Sequence, residues 1–399
     1  MNLEIFPNDL LLYLFNFITP LDLFRSFYNL NSHFNDFILI YFQNYRFDFR
    51  LLSRQELKII CQNYIPLIFD KVIYLHLSDD DGTPGQAADF FNYDINIDQF
   101  TSLKALTLFR IESHSKIDEF FSFGIQKLHH LTYLKFDDCH FNKGDGNKTR
   151  QLINQIWSLP KLIYCYWNVR PNGEEYFYLP TIFSLSLKNL HIKNPEWNSE
   201  QLTCLMMKTP YLQYFSTEFS CFTSNFNNDN VNKTLPSLKN LPMKKLKLIN
   251  LWSRNILINL LYMMPNLYYL NIHGWTFYIN GYEWKDIIIK YLPNLRIFRL
   301  TMLLEFNNNI NTEKQIDQLL EAYRSPFWIE EHQWFIGCLW TESNNDRLIC
   351  LYSLPYSFEH VPRNVSQLSY RTKSTCPSQI KFSYDHIHGL LYDSSLFIE

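Results

Sequence analysis

The stretch "LTYLKFDDCHF", Leu131 to Phe141, sets Asp137, Asp138, Cys139 and His140 side by side at the end of an apolar ladder. Two carboxylates, a thiol and an imidazole are the groups of metal coordination and of nucleophilic catalysis. Written by its large apolar positions, however, the stretch is L-x-x-L-x-F-x-x-C-x-F. Leu134 and Phe136 then fall on one side of an extended chain, with Tyr133, Lys135 and Asp137 on the other. Cys139 stands where an apolar ladder would place another inward residue. Size and burial, and not reactivity, become the expected reason for the cysteine.

That spacing matches the strand segment of a leucine-rich repeat, with cysteine at the position that accepts Asn or Cys. It recurs in weaker forms as "LKALTLFRI" from Leu103, "LQYFSTEF" from Leu212, "MKKLKLINL" from Met243, "LYYLNIHGWTF" from Leu267 and "LRIFRLTML" from Leu295. Val72, Leu162 and Leu187 open three more. Successive anchors lie 24 to 31 residues apart, the upper part of the leucine-rich range and slightly beyond it. In "LPKL", "TPYL", "MPNL" and "LPNL" a proline stands two residues before the anchor, ending the previous helix and starting extended chain. Helical pieces such as "SEQLTCLMMKT", "NILINLLYMM" and "YEWKDIIIKYL" lie between the strands. Eight positions after the anchor, other units carry Ile111, Leu251 and Trp275 where this one has Cys139. A buried thiol fits that company. Asp137 is expected outward, Asp138 is expected to begin the turn, and His140 should point away from Cys139.

Composition narrows the function classes. In 399 residues there are 34 Phe and 26 Tyr but only 10 Gly, which argues against Gly-rich phosphate loops and long flexible linkers. A formal charge of -3 supplies no basic field, so no nucleic-acid partner is expected. The N-terminus lacks a basic leader with a small-residue cleavage site, and the apolar run from Leu10 to Ile18 is too short to span a bilayer. No membrane partner and a cytoplasmic or nuclear location are therefore expected. Eight cysteines without a CxxC pair fit free, mostly buried thiols of a reducing compartment. On that expectation the sequons at Asn147, Asn232 and Asn364 are chance matches.

The first fifty residues have a different texture. "FPNDLLLYLFNFITPLDLFRSFYNLNSHFNDFI" reads as three short helices. Asn8 can cap the first, over Leu10 to Phe17; Thr19 with Pro20 and Asp22 opens the second; Asn31 or Ser32 caps the third. The first helix has almost no polar face, and so small a bundle cannot cover it unaided. Phe6-Pro7, Asp9, Leu10-Leu11, Leu14-Phe15, Leu21-Asp22-Leu23 and Asn31-Ser32-His33-Phe34 resemble an F-box. With the repeats behind it, the chain resembles the F-box/leucine-rich-repeat proteins, substrate receptors of Skp–cullin–F-box ubiquitin ligases. Phe6, Leu30-Asn31 and His33 depart mildly from that motif. The resemblance implies an adaptor contact through Pro7, Leu10, Leu11, Leu14, Leu21 and Leu23, with a cullin reached through the Skp-type adaptor. The competing reading is a plain helical cap that shields the first repeat edge.

The expected fold is α/β: a three-helix F-box over residues 1–48, a helical linker over 49–69, and about nine irregular leucine-rich repeats over 70–305. The repeats place parallel strands on the concave side and helices outside. A C-terminal β-rich cap of helix plus hairpin follows over 306–399, built on "TEKQIDQLLEAY", "HQWFIGCLW" and "RLICLYSL", with further strands at "SQLSYRT" and "QIKFSYD". Strand alternation assigns the residues between the ladder positions to the concave side. Two positions after the anchor, Tyr74, Tyr133, Tyr164, Tyr214 and Tyr269 fill five of nine places. Four after it come His76, Thr107, Lys135, Tyr166, His191, Ser216, Lys247, Asn271 and Arg299, with no acid among them. Tyr74, Tyr133, Lys135, Tyr164, Tyr166, Tyr214, Lys247, Tyr269 and Arg299 are the expected substrate-binding set, made for a protein, acidic or phosphorylated segments included. Strand propensity for tyrosine is the bland alternative.

No enzyme, cofactor or metal is expected. No G-x-S-x-G, P-loop, zinc or kinase pattern occurs. "WIEEHQW" lacks the H-E-x-x-H spacing and reads as solvated charge before a strand; "DHIHG" has no partner at useful spacing.

Overall fold

The computed structural model describes residues 5–44, 47–49, 52–93, 95–112, 124–141, 146–171, 177–193, 195, 197–219, 241–275, 277–305, 312–341, 348–354 and 370–377. The chain divides into two compact units, residues 1–195 with 204–211 and residues 196–203 with 212–399.

The first unit begins with helices α1 (Asn8–Phe15), α2 (Pro20–Phe27) and α3 (Ser32–Asn44). The first helix starts two residues earlier than its spacing suggested and is not capped by Asn8. The Pro7 carbonyl instead accepts the N–H groups of Leu10 and Leu11, at 3.0 and 3.1 Å, which puts Asn8 inside the first turn. It also ends at Phe15, because the next two N–H groups tighten onto the carbonyls of Tyr13 and Leu14. The other two caps form as expected. Thr19 Oγ1 accepts from the Asp22 N–H at 3.2 Å with Pro20 at N1, and Asn31 Oδ1 accepts from the Phe34 N–H at 2.9 Å.

A two-residue strand β1 (Phe47–Asp48) follows, then helix α4 (Arg54–Ile59), whose Ser53–Glu56 capping box is complete. The Ser53 bonds hold the Glu56 carboxyl below its ordinary value. The repeats of this unit comprise β2 (Tyr74–Ser78), α5 (Gln86–Asn92), β3 (Ala105–Phe109), β4 (Tyr133–Phe141), α6 (Gly146–Trp157), β5 (Tyr164–Pro171) and β6 (Asn189–Lys193), followed in the chain by α7 (Ser199–Lys208). Within the unit β1 to β6 pair in sequence order, all parallel. The second unit contains β7 (Tyr214–Glu218), β8 (Lys245–Leu251), α8 (Arg254–Tyr262), β9 (Tyr269–Trp275), α9 (Gly281–Tyr291) and β10 (Ile297–Glu305). Strands β7 to β10 are again parallel and in order.

The anchors explain this architecture. Val72, Leu103, Leu131, Leu162, Leu187, Leu212, Met243, Leu267 and Leu295 are all buried, and each strand from β2 to β10 begins two residues after its anchor. The paired strands are stitched at that point by a recurring bifurcated bond. The Ile73, Lys104, Thr132 and Ile163 carbonyls each accept two N–H groups from the next repeat, and Gln213, Lys244 and Tyr268 do the same in the second unit. This fixes register: Tyr74 lies opposite Ala105, then Tyr133, Tyr164 and Asn189; Tyr214 lies opposite Lys245, then Tyr269 and Ile297. The alternate residues Leu134, Phe136, Leu246 and Leu248 are wholly buried, so each strand closes one layer of a stacked core.

After β10 the sheet of the second unit turns antiparallel. Helix α10 (Thr312–Glu321) leads to β11 (Phe335–Thr341), β12 (Leu348–Leu354) and β13 (Tyr370–Ser374). β11 and β12 form the expected hairpin, but β12 is the member that adds to β10, and β13 closes on β11. Arg371 and Lys373 of β13 pair with Glu313 and Asp317 of α10, at 2.7 and 3.1 Å. The expected strand at "QIKFSYD" and the two histidines of "DHIHG" lie outside the described residues. No helix among the described residues is long and apolar enough to cross a membrane.

Candidate functional site

The quoted constellation is structural. Cys139 is fully buried, its thiol donates to the Leu108 carbonyl at 3.4 Å, and burial pushes it up to about 12. Asp138 does not begin a turn, as its place in the motif suggested. It takes a left-handed backbone, φ 55°, that inserts a bulge while β4 continues to Phe141. Its carboxylate sits between Arg110 and Arg170, at 3.4 and 2.7 Å. Arg110 and Asn250, each also seven residues past an anchor, share that backbone at φ 52° and 54°. Asp137 pairs with Lys135 at 2.8 Å and accepts from Asn168 at 3.0 Å. Burial raises the Asp137 carboxyl, but the bonds from Lys135 and Asn168 and the Lys135 and Lys193 charges outweigh it and hold it below the ordinary range. Among the described residues, no group of three or more His, Cys, Asp or Glu side chains could hold a metal ion.

His332 of the other acidic motif stacks on Trp334, with centroids 4.2 Å apart at 10°, and meets Phe327 edge-on at 4.5 Å. Glu330 and Glu331 beside it are exposed. The motif is aromatic packing with two solvated acids.

The strand face is where the expected substrate-binding residues come together, within each unit. All nine are half-buried. In the first unit Tyr133 and Tyr164 stack at 4.4 Å and 1°, Tyr164 and Tyr166 both meet His191, and Lys135 Nζ sits 5.0 Å from the Tyr166 ring centre. The Tyr74 hydroxyl is 3.4 Å from Thr107 Oγ1. In the second unit the Arg299 guanidinium lies 5.5 Å from the Tyr269 ring centre. Asn271 donates to the Tyr269 hydroxyl at 3.5 Å. One expectation is corrected: His76, Thr107, Ser216 and Asn271, four residues after their anchors, are buried and not exposed. Rings and long chains on strands less than 5 Å away close over these shorter side chains.

The second candidate surface is on α1. Leu11 and Phe15 face inward, where Phe15 meets Phe27 at 5.2 Å and Tyr41 at 5.7 Å and its carbonyl accepts from the Tyr41 hydroxyl at 3.2 Å. Leu10, Tyr13, Leu14 and Phe17 face outward, at 46, 61, 39 and 73% exposure. Leu10, Tyr13 and Leu14 share one side of α1 at i, i+3, i+4 spacing, and Phe17, in the turn just after the helix, joins them edge-on to Tyr13 at 5.2 Å. Ile5 and Leu30 are also exposed. Of the six residues expected at the adaptor, Pro7, Leu10 and Leu14 are on the surface, while Leu11, Leu21 and Leu23 are buried and cannot contact a partner. Helix α2 rotates its leucines inward because Phe24 stacks on Tyr64 at 4.4 Å and 12°. The motif reading missed Tyr13, to which the helical spacing from Leu10 points, and Phe17 in the turn after α1.

No family model matches the chain, and no curated protein matches it in sequence. Among solved structures, an internalin from Listeria monocytogenes is similar over 61% of this chain and 73% of its own, at 14% identity and a TM-score of 0.32. At that score it adds nothing to the strand register described above.

Proposed function

We propose that this chain is a non-catalytic adaptor, working in the cytoplasm or nucleus. Its N-terminal helices dock to a Skp-type adaptor and through it a cullin, and its repeat face holds a protein substrate for ubiquitination. The protein contributes proximity and orientation, with no bond made or broken on this chain and no cofactor used. The observation that carries the reading is the outward apolar patch of Leu10, Tyr13 and Leu14 on α1, extended by Phe17 just past its end, on a helix whose other side is already packed. A contiguous apolar helix face of this kind is how amphipathic helices meet protein grooves. The aromatic strand face supports the second half of the reading, since tyrosine offers rigid contact area with a polar tip.

A leucine-rich-repeat scaffold without a ligase role is the second reading, favoured by one observation. Leu21, Leu23 and Phe24 turn inward, as they would in helices serving only to cap the repeats. Affinity purification of the full chain followed by mass spectrometry separates the two. Recovery of a Skp-type adaptor and a cullin supports the first; recovery of a target alone supports the second.

A further inference from the structure

Three neighbouring segments on the outer rim of the first unit, residues 146–163, 177–193 and 204–211, contain no Asp or Glu. Hydrogen bonds tie them together. Asn154 Oδ1 accepts from the Thr181 N–H at 2.8 Å, and the Ser186 hydroxyl donates to the Leu159 carbonyl at 2.9 Å. The Lys208 carbonyl accepts from the Ser184 N–H at 2.8 Å, and Lys208 Nζ donates to the Thr181 carbonyl at 2.7 Å. Between β5 and β6 the described residues 177–188 form neither helix nor strand, and this irregular stretch leaves Phe183 and Leu185 57 and 68% exposed. Ile163 and Tyr211 of the adjoining segments are exposed as well. The cations of this rim meet only neutral groups. Lys161 Nζ is 3.1 Å from His130 Nδ1, Lys208 Nζ is 4.3 Å from the Phe183 ring centre, and the Arg150 guanidinium is 5.4 Å from that of Tyr178. Lys188 is exposed at the start of β6. Among the described residues no carboxylate pairs with any of these four cations. Beside them lies an open groove of about 420 Å³, lined by Arg150 and the amides of Gln126, Asn147, Gln151 and Asn154.

We propose that this rim is a further docking surface, made for an acidic segment of a partner protein that also carries large apolar side chains. Charge complementarity selects the sign: Arg150, Lys161, Lys188 and Lys208, with no carboxylate in the three segments, attract an anionic chain and repel a basic one. Phe183 and Leu185 supply the apolar anchor that an exposed patch of this kind offers a protein. The groove selects a peptide over a lipid surface, because side-chain amides pair with main-chain N–H and C=O groups. The surface lies outside both the strand face and α1, so the inference stands whether or not the chain serves a ligase.

The test uses the full chain and fluorescent degenerate peptide pools whose varied positions combine Leu or Phe with Asp or Glu, with Ser or Asn, or with Lys or Arg. Anisotropy should show the acidic pool binding about ten-fold more tightly than the neutral pool, as three exposed ion pairs together supply, and the basic pool not binding. Added salt should shrink that preference. Lys161→Gln with Lys188→Gln should remove it while leaving the melting temperature unchanged. Phe183→Ser with Leu185→Ser should weaken binding of the acidic and neutral pools alike; if that pair lowers the melting temperature, the glutamine pair carries the test. Lys314→Gln, an exposed lysine of α10 in the second unit, should change nothing. Equal binding of all pools, no binding of any, or tighter binding of heparin or phosphatidylserine vesicles than of the acidic pool would overturn the proposal. An unaltered preference in the glutamine pair would do the same.

Discussion

The rings of Tyr133 and Tyr164 lie parallel, 1° apart and 4.4 Å centre to centre, because the two residues hold the same place in consecutive repeats. Neighbouring strands are separated by about 4.8 Å, so residues in register stack wherever both are flat. Replacing both with serine removes surface contacts while the buried Leu134 and Cys165 beside them stay. Target capture should be lost, with the melting temperature falling by only a few degrees. A paired pull-down and thermal melt decides it: capture retained at wild-type level contradicts the binding role.

Cys139 should behave as core. A thiol pushed up to about 12 by burial has almost no thiolate at neutral pH, as holds for Cys165. Brief alkylation of the native protein, read by peptide mapping, should leave both unlabelled while the partly exposed Cys376 reacts. Cys139→Ala should cost about 1 kcal/mol through a small cavity and change no bound metal. Fast labelling of Cys139 would return it to the list of reactive groups.

Acid should loosen the first unit through Asp137. Its carboxyl lies below the ordinary value in the folded protein, so its contribution is fully present above about pH 4. As pH falls from there towards the folded value the unfolded chain binds the extra proton, and the contribution is gone once the folded carboxyl is protonated too. In a denaturation series from pH 6 to pH 2, Asp137→Asn should show a shallower loss than wild type. Parallel curves would mean that the Lys135 and Asn168 contacts carry no differential stability.

The ladder was legible in the sequence because burial of every anchor forces the same residue class at the same spacing, from Val72 to Leu295. What escaped was set by neighbours in space. The left-handed backbone at Asp138 and Asn250 suits those residue types, but Arg110 adopts it at the same repeat position, so residue type alone does not announce the bulge. The burial of His76 and Asn271 depends on what the adjacent strands carry. On the N-terminal helices, leucine content marked an apolar surface, but the rotation of α2 set by Phe24 on Tyr64 decided that Leu21 and Leu23 belong inside. Tyr13, by contrast, follows from helical spacing alone, while Phe17 joins it from the turn after α1.

That rotation separates two kinds of substitution. Leu10→Asp with Leu14→Asp alters exposed side chains and should shift stability by less than about 1 kcal/mol. Leu21→Asp buries a carboxylate among apolar neighbours and should prevent folding. Circular dichroism melts compare them directly, and equal destabilisation would contradict the assignment of faces on α1 and α2.

Titration of the purified full chain with a purified Skp-type adaptor, followed calorimetrically, bears most directly on the central claim. The wild-type chain should bind saturably, and the doubly substituted Leu10→Asp, Leu14→Asp chain should give no heat of binding while melting at the wild-type temperature. No binding by the wild type, or equal binding by the variant, would contradict the claim that the outer stripe of α1 is a docking surface for that adaptor.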